Sequence, residues 1–232
     1  MSTSYSPQVA TNGLILLLDA ANTKSYPGSG ATWTDLSGEG NNMTLSNTTF
    51  GNGVLNFNGS TSYGDLGANM TLATAGATIS TWAKVTDFTT LSGTHTQQAR
   101  ILVTSTDKNG DSLIGFWNGG YGWESQTNGI PYEVNTSNTP AVAAPDISPG
   151  AWFNFVLVFD TGISYAYVNG EFITSIACSP QLDFRYLGIG SVNTNYPDYL
   201  YGSIGMLGVH NTPLSAQEVL QNYNALKGRY QV

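Results

Sequence analysis

Charge is what this chain has least of. Seven Lys and Arg and fifteen Asp and Glu make up 9% of 232 residues, against roughly 25% in a typical soluble domain. No basic residue falls between Lys24 and Lys84, or between Lys108 and Arg185. Phosphate and anionic headgroups are held by clustered cations, so this distribution, with a net charge of −8, excludes nucleic acid and anionic membrane as partners. Cysteine occurs once, at Cys178, so no internal disulfide can form. It closes the apolar run Ile176-Ala177-Cys178, where a free thiol packs as a small hydrophobe. No run approaches the roughly 20 apolar residues of a membrane helix. Met1–Pro7 has neither the basic start nor the apolar centre of a secretory leader, so the expectation is synthesis in a cytoplasm with no signal peptide.

Asn, Ser, Thr and 27 glycines do the solvating instead, and 12% aromatics supply a core, so the chain is globular rather than disordered. The five Asn-x-Ser/Thr triplets, at Asn42, Asn47, Asn58, Asn69 and Asn135, are chance matches in such a composition.

Short β-type runs alternate with Gly, Asn, Pro and Ser clusters, the spacing of a sandwich or barrel. Gly13–Leu18 is a buried run. Val54–Asn58 and Thr61–Leu66 read as a pair around Asn58-Gly59. Thr78–Val85 alternates, with Ile79, Ala83 and Val85 on one face and Ser80, Trp82 and Lys84 on the other. Arg100–Ser105 and Ser112–Trp117 flank a turn at Asp107–Gly110. Trp152–Asp160 is apolar on both faces, as a central strand is. Ile163–Val168 and Glu171–Cys178 meet at Asn169-Gly170, the strongest hairpin signal in the chain. Phe184–Gly190 and Leu200–His210 complete the strands. One helix is predicted over about 216–227, with Ser215 and Glu218 as a capping box and Gly228 as its stop. Val219, Leu220, Tyr223 and Leu226 form its buried stripe. The expectation is an all-β, two-sheet antiparallel jelly-roll sandwich with one C-terminal helix, occupying 1–232 as a single domain behind a short arm, 1–10.

Three stretches carry a resemblance. Residues 14–22 (LILLLDAAN), 26–30 (YPGSG), 33–40 (WTDLSGEG) with Asn41-Asn42, and 55–59 (LNFNG) resemble the opening of laminin-G-like domains of the concanavalin A-like superfamily. Residues 164–173 (SYAYVNGEFI) are similar to the central hairpin of those domains, and Gly202–Tyr230 resembles their closing strand and helix. The opening is similar to the form seen in tailed-phage structural proteins. The resemblance implies a jelly roll; it does not select among lectins, glucanases, adhesion modules and virion proteins.

Related glucanases carry Glu, Asp and Glu at alternate positions of one strand. Here Glu124, Glu133 and Glu171 are isolated, and neither His95 nor His210 has a nucleophile elbow nearby, so the chain is expected not to be an enzyme. No cofactor is expected. Calcium is considered at Asp107, Asn109 and Asp111, where Gly110 and Asn118 break the EF-hand pattern, and at Asp35, Ser37 and Asn41, where Asp35 caps a Ser37-Gly38 turn. The candidate contacts for a glycan or partner protein are the loop aromatics Trp117, Tyr121 and Trp123, and Tyr196, Asp198, Tyr199 and Tyr201. The first reading is a non-enzymatic virion structural protein, on the particle surface or in a tail or fibre, with other virion proteins or itself as partners and a host surface glycan as a further ligand. The alternative is a carbohydrate-binding, lectin-like adhesion module, and a glycan hydrolase comes third.

Overall fold

The structure, a computed structural model, describes residues 9–73, 76–86, 98–104, 112–117, 148–177, 181–188 and 199–232, some of the strand residues by backbone alone. Fourteen strands and one helix lie within them.

An eight-stranded antiparallel sheet runs β12 (Glu171–Ala177), β11 (Ile163–Val168), β10 (Trp152–Asp160), β7 (Gly76–Val85), β14 (Tyr201–His210), β5 (Val54–Asn58), β4 (Thr49–Gly51). Its eighth member, β1 (Leu14–Asp19), pairs with the second half of β14, on the edge whose first half takes β5. A six-stranded sheet runs β2 (Thr32–Trp33), β3 (Met43–Ser46), β6 (Tyr63–Ala73), β13 (Gln181–Leu187), β8 (Gln98–Thr104), β9 (Ser112–Trp117). The jelly-roll sandwich expected from the sequence is therefore present.

Period-two alternation builds the core between the sheets. Ile79, Ala83 and Val85 of β7 and Phe153, Phe155, Leu157 and Phe159 of β10 enter one cluster with Leu16, Trp33, Leu55 and Leu207. The opposite faces of β7 and β10 are buried as well, because α1 (Ala216–Tyr230) lies over them. Val156 and Val158 meet Leu214 and Val219 there, and Trp82 meets Met206 and Tyr230. The double-sided apolar pattern of Trp152–Asp160 thus reflects a sheet with a second sheet on one face and a helix on the other.

Three sequence expectations need correction. The helix does not stop at Gly228 but runs through it to Tyr230, with Gln231 as a left-handed cap at φ 59°. A glycine inside a helix costs about 1 kcal/mol relative to Ala, less than docking Tyr230 on Trp82 and Trp152 returns. The buried stripe is Val219, Asn222 and Tyr230, flanked by half-buried Tyr223 and Leu226, while Leu220 is 45% exposed. Finally, β5 and β6 do not pair: Asn58-Gly59 carries the chain from one sheet to the other. The β8–β9 and β11–β12 hairpins form as expected, the latter with Asn169 at φ 52° and Gly170 at φ 82°.

Candidate functional site

Strand registers bring the end of β9 and the start of β14, the strand ends that border the predicted aromatic loops, to one end of the sandwich. β14 begins with Tyr201 opposite Asn58, the last residue of β5, and β13 ends with Leu187 opposite Gly64 at the start of β6. β9 ends with Trp117 opposite Gln98, the first residue of β8. The connections that follow β9 and precede β14 therefore leave from the same rim. Tyr201 is 41% exposed and Tyr199 half-buried. Tyr121, Trp123, Tyr196 and Asp198 lie outside the described residues, as do the side chain of Trp117 and the calcium candidates Asp107, Asn109 and Asp111. The β8–β9 connection that carries those three joins strand ends at the opposite end of the sandwich.

Asp35 is occupied by the protein itself. Its carboxylate accepts from the N–H groups of Leu17 (2.8 Å), Ser37 (2.9 Å) and Asn41 (3.0 Å) and from the Ser37 hydroxyl (2.7 Å). Burial pushes this carboxyl up, but these four donors together hold it below the ordinary range. The cluster is a turn that ties residues 35–41 to β1. Among the described residues, no group of three or more His, Cys, Asp or Glu is placed to hold a metal ion.

The face of the six-stranded sheet that turns away from the core carries a grouping that sequence reasoning missed. Tyr63 and Asp65 of β6 project to the side opposite Gly64, which packs against Met43 and Leu187 in the core. Tyr186 lies directly opposite Asp65. Between Asp65 and Met70 strand β6 bulges, with Gly67 at φ 80°, and β13 spans the same distance with Arg185 alone. Opposite that bulge Arg185 grips Asp65 with two parallel bonds, Nε to Oδ1 at 2.6 Å and Nη2 to Oδ2 at 3.0 Å, the fork geometry that makes Arg–carboxylate pairs strong. The guanidinium lies 5.0 Å from the Tyr186 ring centre, and Tyr63 meets Tyr186 edge-on at 6.4 Å. Thr44 and Ser46 of β3 extend the patch, opposite Asp65 and Tyr63.

Chemically, this is two half-exposed aromatic rings beside a fixed set of donors and acceptors. The Arg185 hydrogen bonds hold the Asp65 carboxyl below the usual carboxylate range. Glycoside hydrolysis by paired carboxylates needs one of them protonated as the acid. Asp65 is the one carboxylate among the described side chains of this patch, and its environment keeps it ionised. Tyr63 and Asp65 were visible in the sequence only as an alternation. Their partner Arg185 is 120 residues away, and the β6 bulge that aims it leaves no local signal.

Two antiparallel sheets face to face, with a helix over one of them, define the class: a jelly-roll β-sandwich. Residues 58–220 match the model of the concanavalin A-like lectin/glucanases superfamily, and the chain belongs to that superfamily. No curated protein sequence matches it. Among solved structures, Trypanosoma rangeli sialidase in complex with sialic acid superposes over 95% of this chain with a TM-score of 0.67 and 14% identity, and the chain spans only 34% of the sialidase. Domain 4 of AbnA, a GH43 extracellular arabinanase from Geobacillus stearothermophilus, in complex with arabinotriose, superposes over 90% of this chain and 98% of its own length, with a TM-score of 0.63 and 16% identity. At such identities the likeness is one of fold.

Proposed function

We propose that this chain is a carbohydrate-binding module that holds a glycan, without cleaving it, on the face of its six-stranded sheet that turns away from the core. The observation that carries the reading is the Tyr63–Tyr186 pair beside the Asp65–Arg185 fork. Apolar ring faces suit the C–H face of a sugar, and a locked carboxylate–guanidinium pair presents directed acceptors and donors to its hydroxyls. The superfamily supports the same class of ligand, as do two similar folds whose structures contain saccharides. These favour the lectin-like alternative over a purely architectural role.

Placement on a virus particle draws its support from the resemblance of the opening, within residues 18–42, to tailed-phage structural proteins. It is compatible with the same chemistry, because a module on a particle surface holds host glycans with the same face. Electron microscopy of a purified assembly tests that placement, including self-association. For the binding reading, a glycan array identifies ligands, and calorimetry compares wild type with Tyr63→Ala, Tyr186→Ala and Asp65→Asn. Each substitution is expected to weaken binding about tenfold or more, the scale of a central contact. Unchanged affinity in folded variants overturns the site. Release of reducing sugar, abolished by Asp65→Asn, replaces binding with hydrolysis.

A further inference from the structure

We infer that the eight-stranded sheet carries a second saccharide site, selective for acidic sugars, on the part of its outer face that α1 leaves uncovered. The helix divides that face in two. Beneath α1 it is apolar or sealed, with Trp82, Val156, Val158 and Met206 all buried. Beyond the helix C-terminus the character changes within one residue step along each strand. Asn56, Ser203, Lys84 and Trp152 are directly opposite one another across β5, β14, β7 and β10. They form one straight row across four strands, all on the helix side of the sheet. The next row toward the rim holds Asn58 opposite Tyr201.

The row is built rather than loose. The Ser203 hydroxyl donates to Asn56 Oδ1 at 2.8 Å and is itself buried. The Lys84 ammonium stands 5.4 Å from the Trp152 ring centre, a cation–π distance. Trp152 in turn leans on Tyr230 at 4.8 Å, so the end of α1 fixes its ring while leaving it half-exposed. Strand spacing puts Tyr201 and Trp152 about 12 Å apart, the reach of a short oligosaccharide rather than of one sugar.

Charge selects the ligand class. Lys84 is the one charged residue of these two rows. Arg229, the neighbouring cation on this side, is held by both oxygens of Asp19 at 2.8 Å. An ammonium beside two spaced aromatic rings and an amide matches a carboxylated saccharide: the carboxylate on Lys84, apolar ring contact on Tyr201 and the exposed part of Trp152, and a hydroxyl on Asn56, while Asn58 is turned into its own loop, its Oδ1 accepting from the Ser60, Thr61 and Ser62 N–H groups. The net negative charge of the chain does not oppose this at physiological salt, where screening acts within about 8 Å. The site is separate from the patch on the six-stranded sheet, so a glycan held on both faces is held by a bivalent module.

The test is a titration followed by two-dimensional amide NMR, with trigalacturonate and sialyllactose as probes and the methyl ester of the first and lactose as neutral counterparts. Shifts are expected at the amides of Lys84, Trp152, Tyr201 and Ser203. Lys84→Gln is expected to weaken an acidic probe about tenfold and leave its neutral counterpart unchanged, while Tyr201→Ala weakens both. A Tyr63→Ala/Tyr186→Ala variant is expected to keep these shifts. Trp152 is left intact because α1 packs on it. The inference is overturned if shifts map away from this row, if a folded Lys84→Gln variant binds as wild type, or if neither acidic probe binds. A glycan lost only on Tyr63→Ala/Tyr186→Ala survives all three outcomes, so the two sites fail separately.

Discussion

Tyr230 is used for its ring and not for its hydroxyl. The ring stacks on Trp82 at 4.4 Å with 14° between planes and tilts against Trp152 at 4.8 Å. Gly205, at the bulge of β14, leaves the space it occupies, and a Cβ there would meet the phenol. The hydroxyl is buried beside the Arg229 guanidinium, with no hydrogen bond of good geometry among the described residues, and burial pushes its ionisation up to about 12. A buried donor without a partner carries a desolvation penalty. Tyr230→Phe is therefore expected to leave stability unchanged or raise it by about 1 kcal/mol, while Tyr230→Ala lowers it by about 3–5 kcal/mol, both read by urea denaturation. The sequence hid this residue because Gly228 is a good stop signal and the counter-argument, two tryptophans on β7 and β10, is not local. Asp65 and Arg185 were hidden for the same reason. Asp35 was legible because its partners Ser37 and Asn41 lie within six residues of it.

At the scale of elements, local chemistry was readable and face assignment was not. The capping box is present as expected: Ser215 Oγ accepts from the Glu218 N–H, and Glu218 Oε2 accepts from the Ser215 N–H at 2.8 Å. The Asn169-Gly170 turn needs only its own two residues. Which side of α1 faces the sheet depends on what waits there, and one contact is polar: Asn222 Oδ1 accepts from the Ala10 N–H at 2.7 Å, tying the N-terminal arm to the helix. Val219→Ala is accordingly expected to cost about 2 kcal/mol and Leu220→Ala less than about 0.5 kcal/mol, measured in the same denaturation series. Equal losses would put Leu220 back in the interface. The pairing of β5 with β6 failed for a related reason. Asn58-Gly59 favours a turn, but a turn sets only a change of direction, and a sandwich lets it lead into either sheet.

For the molecule as a whole, four titrating groups among the described residues pull stability the same way with pH. Burial lowers the His210 pKa from 6.5, and its Nδ1 lies 3.0 Å from the Asn12 carbonyl oxygen, an arrangement that places the proton of the neutral ring on Nδ1. Its contribution is complete above 6.5 and is lost as pH falls toward the folded value. Asp35, Asp65 and Glu218 are also lowered, from 3.8, 3.8 and 4.5, so their contributions hold above those values and vanish as pH falls through the folded ones. Melting temperature is expected to drop in two steps on acidification, the first beginning below about 6.5 and the second below about 4. His210→Asn, which can keep a donor near the Asn12 carbonyl, is expected to remove the first step alone; a first step that persists in this variant assigns it elsewhere.

The place of β14 bears on how such a chain is made. It pairs with β7 along nearly its whole length and receives β5 and β1 on its other edge, so three strands synthesised early all await one synthesised late. The Thr81 hydroxyl donates to the Met206 carbonyl, 125 residues onward. At 5–20 residues per second a ribosome takes roughly 6–25 s to cover that interval. Throughout it, one edge of β7 is open to any passing strand, and pairing of such high sequence separation is slow even once the chain is complete. Translation speed and chaperone supply, more than final stability, are thus expected to govern the yield of soluble protein.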